Sequence, residues 1–287
     1  MKRREMLAAT GAAVAGLSGF PLGWAAEPEK KKRKLLYFTR SIAYEHSVIA
    51  PGADGLSHSG KVLAELGEKH GFEIEPSKDG SIFDGDLDAY DALVFYTCGD
   101  LYTPSVRKTP PMSPEGRKRL IAAVAAGKPF VALHSACYWG AKPAVDDAYL
   151  EMVGAGFVAH GAQQKSTMKV TSPGFPGADG LGDSFDLVDE WYALKNFSKD
   201  LHVILAEDNE GMKGGMYQRP PFPSTWARMH GKGRVFFSAM GHREDVWTNA
   251  TFQKILLGGL AWALGDVDAD LTPNVDKVTP NADQLTK

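Results

Sequence analysis

Short continuous apolar runs alternate along this chain with segments whose apolar residues recur three and four positions apart. Lys34-Leu35-Leu36-Tyr37-Phe38-Thr39, Tyr90 to Thr97 and Phe130 to Leu133 are of the first kind, apolar at their centres. Runs of this kind are strands buried on both faces, as in a parallel sheet. Phe72-Glu73-Ile74-Glu75 alternates instead, which predicts an edge-like strand. Val62, Leu63 and Leu66 share one helix face and Gly71 follows His70 as a C-cap, so a helix is predicted over 58–70. Ser113-Pro114-Glu115 opens a second helix that carries Leu120, Ile121 and Val124 and stops at Gly127. Strand, helix, strand, strand, helix, strand in this order predicts an α/β fold of the flavodoxin-like type, a mainly parallel sheet with helices on both faces.

The second half carries a weaker version of the pattern. Val145 to Val153 predicts a short helix, and Gly154 to Gly161 a glycine-rich loop around His160. Lys165 to Thr171 and Leu201 to Ala206 predict strands, and Gly231-Lys232-Gly233 between Thr225–His230 and Arg234–Met240 predicts a hairpin. A last helix from Asn249 to Leu264 presents Phe252, Ile255, Leu256, Leu260 and Ala263 on one face, and a polar tail follows over 266–287. No repeat or break in composition divides residues 34–265, which are expected to be one domain. Before them, Met1-Lys2-Arg3-Arg4 and a weakly apolar Ala/Gly/Leu run ending near Ala25-Ala26 have the form of an export signal of the twin-arginine type, followed by a charged linker over 27–33. The expected location of the mature chain is therefore periplasmic or otherwise extracytoplasmic, with no membrane span in it.

Composition narrows the function by exclusion. With 287 residues, 44% of them hydrophobic, the chain can build a sizeable core. A net charge of -3 and the lack of a basic face argue against a nucleic-acid partner. There is no Gly-x-Gly-x-x-Gly turn after the first strand and no Gly-Lys-Ser/Thr loop, so no nucleotide cofactor is expected. Cys98 and Cys137 both lie just past strand ends, where a disulfide is conceivable in an oxidising compartment.

Candidate chemistry gathers at strand ends, where α/β folds bind ligands. The strand Phe130-Val131-Ala132-Leu133 runs straight into His134-Ser135-Ala136-Cys137, and His46, His160 and His242 stand in comparable positions. These four histidines are a candidate site for a divalent metal, zinc first, because imidazole suits first-row metals and a catalytic site needs three protein ligands. The same histidines are also suited to acid/base work without a metal. His58, His70, His202 and His230 have ordinary helix, strand or turn positions. Glu190 beside Trp191 and Tyr192 has the composition of a sugar site, a carboxylate next to aromatic faces, and Glu45 is a candidate second carboxylate. His134, His46 and Glu190 are thus the catalytic candidates, with Tyr44, Ser135, Trp191, Tyr192 and Arg234 as substrate contacts. Ser135 lacks the glycines of a nucleophile elbow, since Leu133 and Cys137 flank it.

Tyr44-Glu45-His46-Ser47, His134-Ser135, His160-Gly161, Asp189-Glu190-Trp191-Tyr192, Gly231-Lys232-Gly233-Arg234-Val235 and Gly241-His242, in this order, resemble the ThuA-like family. That family is named for trehalose utilisation and is related in fold to class I glutamine amidotransferases. The resemblance implies a carbohydrate as the small-molecule partner and an enzyme acting on a glycoside or keto-sugar, or a sugar-binding domain without catalysis. Two departures qualify it. His134-Ser135 occupies the turn where amidotransferases place a cysteine, which argues against glutaminase chemistry, and Glu45-His46 stands where the family often has an Arg-His pair.

Overall fold

The computed structural model describes residues 32–42, 44–138 and 147–285. The proposed export signal, most of the linker, Trp139 and the start of the helix expected from Val145 lie outside the described residues. The first half of the domain follows the hydrophobic pattern closely: β1 (Arg33–Phe38), α1 (His58–His70), β2 (Phe72–Ser77), β3 (Ala92–Phe95), α2 (Pro114–Ala126), β4 (Phe130–Leu133) and α3 (Asp147–Val153). Local chemistry sets their ends. Ser57 accepts a hydrogen bond from the Gly60 N–H at the start of α1, and Ser113 does the same for Gly116 at the start of α2, ahead of Pro114.

The second half holds β5 (Gly156–His160), β6 (Gln164–Val170), β7 (Ser184–Asp189), β8 (Tyr192–Lys195), β9 (His202–Asp208), β10 (Phe222–His230), β11 (Gly233–Ser238), α4 (Glu244–Trp247), α5 (Ala250–Leu264) and α6 (Val275–Val278). One expectation fails here. The predicted glycine-rich loop around His160 is β5, paired antiparallel with β8 in a small separate sheet. The register shifts between Phe157 and Ala159, so Val158 is a bulge. The hairpin is as predicted: β10 pairs with β11, and Gly231 supplies a φ of 59° in the turn.

Nine strands form the main sheet in the order β2-β1-β3-β4-β11-β10-β9-β6-β7. From β2 to β11 neighbours are parallel, in the 2-1-3-4-5 order of flavodoxin-like folds with β11 fifth. Beyond β11 every pairing is antiparallel, so the sheet is large and mixed. The inner parallel strands β1, β3 and β4 are buried on both faces along their apolar runs, whereas β2 at the edge alternates and is only partly buried. One core cluster joins Leu35, Tyr37, Val94, Val131 and Phe236 to α1 and α5, and the other joins Leu36, Phe95, Phe130 and Phe237 to α2 and α3. Each such side chain contributes on the order of 1.5–3 kcal/mol by leaving water.

The segment after α5 is polar in composition yet packed. Val275, Thr279 and Ala282 are buried, and the Asn274 side chain bonds both the N–H and the carbonyl of Val203. Among the described residues no helix is long and apolar enough to cross a membrane.

Candidate metal centre and aromatic cleft

The carboxyl ends of three parallel strands each deliver one buried imidazole. His46 follows β1, His134 follows β4 and His242 follows β11, with ring centroids 5.0, 5.0 and 5.3 Å apart. His134 sits at a φ of 46°, left-handed for a residue with a side chain, a conformation that costs on the order of 1–3 kcal/mol and collects at functional sites. Its Nδ1 lies 2.8 Å from the Ala239 carbonyl. A carbonyl only accepts, so Nδ1 carries the proton and Nε2 presents a lone pair. That Nε2 is buried without a hydrogen-bond partner, as are His46 Nδ1 and His242 Nδ1.

Burial also decides the charge of these rings. His46 is held down to a pKa of about 3 by desolvation first and then by His242 and His160. His134 is pushed well below its usual value by desolvation and then by His46 and His242, with the Ala239 bond opposing the shift. At neutral pH both are therefore neutral and able to donate a lone pair.

The fourth member comes from the antiparallel side, in the turn between β7 and β8. Glu190 Oε2 lies 3.1 Å from His242 Nδ1, without hydrogen-bond alignment, and 3.8 Å from His134 Nε2. One ligand atom from each of His46, His134, Glu190 and His242 lies within 4.8 Å of all the others. Four ligands around a tetrahedral zinc stand about 3.3 Å apart, so a modest contraction would close this group on an ion. Orphaned buried nitrogens, neutral imidazoles and one carboxylate are a donor set that fits a first-row metal.

Asp189 builds the frame. Its buried carboxylate accepts the N–H groups of Gly241 at 2.7 Å, His242 at 3.1 Å and Glu190 at 3.0 Å, tying together the two turns that carry His242 and Glu190. Desolvation raises its pKa to about 7 despite those bonds. Gly241, at a φ of 114°, has its carbonyl held by the Tyr96 hydroxyl and the Trp247 Nε1–H.

A cleft of about 430 Å³ is lined by Glu190 together with Tyr44, Cys98, Tyr138, Phe157, His160 and Tyr192. Tyr138, Phe157, Tyr192 and His160 form a continuous aromatic wall, with successive centroids 4.9, 4.5 and 5.5 Å apart. The Val158 bulge matters here, because strict alternation would put Phe157 and His160 on opposite faces of β5.

The sequence candidates divide accordingly. His46, His134, His242 and Glu190 come together, while His160 stands outside the group, its Nδ1 3.1 Å from the other Glu190 oxygen. Tyr44 and Tyr192 line the cleft. Trp191 does not: it is wholly buried, with its Nε1–H on the Gln164 carbonyl, and has no face to offer a sugar. Arg234 is at the wrong end of β11, stacked on Trp262 and paired with Asp268. Ser135 is buried with its hydroxyl unpartnered and does not line the cleft.

Glu45 is not a second catalytic carboxylate, because Lys78 and Arg107 neutralise it. Burial raises its pKa, but the hydrogen bonds from those two cations outweigh burial and the net direction is down. Cys98 and Cys137 are both free thiols, so the disulfide does not form. Burial pushes the Cys98 pKa up to about 12 and that of Cys137 higher still, which leaves neither a thiolate. Asp189, Tyr138 and Phe157 were not singled out as site residues in the sequence. Asp189 is adjacent to Glu190 and carries no signal of its own.

Residues 34–263 match the family model for ThuA, described as trehalose utilisation. The chain belongs to the ThuA family. Membership supports a carbohydrate-related role. Among solved structures, this ThuA chain is similar to a putative ThuA-like protein from Bacteroides uniformis, with 18% identity, a TM-score of 0.63, and coverage of 85% of this chain and 95% of that one. A putative ThuA-like protein from Parabacteroides merdae shows 20% identity and a TM-score of 0.61 over 89% and 97% of the two chains. A cytoplasmic protein from Salmonella typhimurium shows 12% identity and a TM-score of 0.52 over 80% and 98%. At these identities the likeness establishes the fold. No curated protein matches the chain.

Proposed function

We propose that this ThuA protein is an exported, metal-dependent enzyme acting on a glycoside or keto-sugar. The observation that carries the reading is the convergence of three buried histidines, each with an unpartnered ring nitrogen, and Glu190 beside an aromatic cleft. His46, His134, His242 and Glu190 would hold the ion, zinc by preference for this donor set. Bound there, zinc supplies Lewis acidity toward a carbonyl or hydroxyl oxygen. The chain's own residues do the rest. Tyr138 and Phe157, both partly exposed at the cleft, offer ring faces to the apolar face of a sugar, and the buried Tyr192 ring backs them. His160, half-exposed at the cleft and hydrogen-bonded through Nδ1 to the Gly161 carbonyl, keeps Nε2 as a proton acceptor toward a bound ligand. Protons next to a ketone are acidic enough for such a group, which makes isomerisation, elimination and hydrolysis accessible. The twin-arginine start of the chain supports export of the folded protein.

The test is elemental analysis of the purified protein beside a His134→Ala variant, followed by a panel of glycosides and keto-glycosides. One equivalent of metal in the wild type, lost in the variant, together with turnover of a panel member, is the expected result. Sugar binding without turnover, unchanged in the variant, would replace the enzyme with a binding domain. A metal-free wild type would overturn the metal reading.

A further inference from the structure

Tyr192 belongs both to the cleft and to the histidine group. Its ring lies 4.4 Å from His134 and is stacked on His160 at 5.5 Å, while its hydroxyl is 3.4 Å from His46 Nε2. The other nitrogen of the same imidazole, His46 Nδ1, is the buried one without a partner. A neutral imidazole carries one proton and one lone pair, on different nitrogens. Two arrangements of the Tyr192–His46 contact are therefore open in the free protein: the hydroxyl donates to Nε2, or Nε2–H donates to the hydroxyl oxygen.

A cation at the centre removes that choice. With Nε2 engaged by Tyr192, the buried, unpartnered Nδ1 is the nitrogen left to ligate, and the proton must then reside on Nε2, as the hydrogen-bonding nitrogen of a metal-bound histidine requires. The Tyr192 oxygen becomes the acceptor of Nε2–H, and its own O–H has to point elsewhere. No other hydrogen bond to that hydroxyl occurs among the described residues, and Tyr192 lines the cleft.

We propose that Tyr192 couples ion binding to ligand binding: with a cation on His46 Nδ1, the Tyr192 O–H turns into the cleft and donates to an acceptor oxygen of the carbonyl or carboxyl type. This rests on the metal site proposed above. By linkage the effect is reciprocal, and a ligand that accepts this bond tightens the ion in turn. His134, Phe157 and His160 pack against the tyrosine ring, so the hydroxyl is positioned before the ligand arrives and little is lost in ordering it.

The experiment uses the full-length protein loaded with cobalt(II), with acetohydroxamate as the probe, followed by the visible bands and by calorimetry. Wild type and Tyr192→Phe are compared, since phenylalanine keeps the stacked ring and removes only the hydroxyl. Both are expected to hold one equivalent of cobalt and to melt alike. The variant is expected to bind the probe about tenfold more weakly, or ~1.4 kcal/mol. In the zinc-loaded wild type, ¹⁵N spectra are expected to show His46 protonated at Nε2. Equal probe affinity in the two proteins, no probe binding by the cobalt form, or a proton on His46 Nδ1 would each overturn the coupling. Loss of cobalt from the variant would reduce Tyr192 to a prop for His46. A wild type that takes up no cobalt refutes the metal site itself, and does so before any probe is added.

Discussion

The imidazoles of the candidate centre come from the parallel half of the sheet, whereas its carboxylate comes from the antiparallel half, and its cleft is shared: Tyr44, Cys98 and Tyr138 follow parallel strands, while Phe157, His160 and Tyr192 belong to the small β5-β8 sheet. The two halves treat polar groups differently. At the ends of β1 and β4 the rings of His46 and His134 are packed until desolvation leaves them neutral, and His242 at the end of β11 is buried beside them. Glu190 is one-eighth exposed by side chain and His160 nearly half exposed, at 12% and 45%, and both meet the cleft. The parallel half thus supplies the buried imidazoles, and the carboxylate and the half-exposed histidine that meet the cleft come from outside it.

That division is open to attack by mutation. The largest effect is expected for His134→Ala, which removes a candidate ligand held by a left-handed backbone and a carbonyl bond. Metal affinity should fall by more than the ~10–100-fold that outer-shell changes cost, read by competition with a chelator. Retained metal would show that the parallel half is not the anchor. Asp189→Ala comes next, because Asp189 is the strut between the halves. A loss of about 10–100-fold in zinc affinity is expected, together with shifted visible bands in the cobalt form. A fall in melting temperature with unchanged bands would mean that Asp189 supports only the fold.

A third prediction concerns Glu207 in the antiparallel half, wholly buried with neither oxygen hydrogen-bonded. Desolvation raises its pKa far above normal, with Arg219 opposing and Asp189 adding to the shift. The folded state therefore keeps a proton that the unfolded state releases, so stability falls as pH rises above the ordinary carboxylate range. Glu207→Gln should remove that decline, gaining up to about 1.4 kcal/mol per pH unit over the wild type above pH ~4.5 in urea melts. Parallel stability–pH curves for the two proteins would refute it. The smallest effect is expected for Arg234→Ala, at the far end of β11. About 1 kcal/mol of stability should be lost with metal and probe binding unchanged.

These contrasts also explain what could be read from the chain beforehand. The helices at 58–70 and 114–126 were legible because their caps and spacing are local, and β1, β3 and β4 because burial on both faces leaves an unbroken apolar run. The histidines past β1, β4 and β11 were legible through the rule that parallel strands present ligands at their carboxyl ends. That rule also excludes Arg234, which lies near the amino end of its strand. Other parts depended on distant packing. Trp191 and Tyr192 are adjacent aromatics of which one enters the core and the other the cleft, and only the pairing of β8 with β5 decides which. His160 seemed a loop residue because glycines flank it, and its place on Glu190 follows from a bulge that has no sequence signature. Glu45 looked free until Lys78 and Arg107, from other segments, reached it.

Arg219 carries a consequence for the order in which the molecule can be completed. Its guanidinium bonds the Leu194 carbonyl in β8 on one side and the Ala282 carbonyl on the other, and Asp283 accepts the Phe197 N–H just after β8. The strand that carries Tyr192 is therefore stapled to residues that leave the ribosome after every strand of the sheet. During synthesis the three histidines can come together only once β11 and His242 have emerged, and the final seating of β8 waits further for the segment around 274–283. A nascent chain stalled between His242 and that point would display the three histidines beside an unfinished cleft.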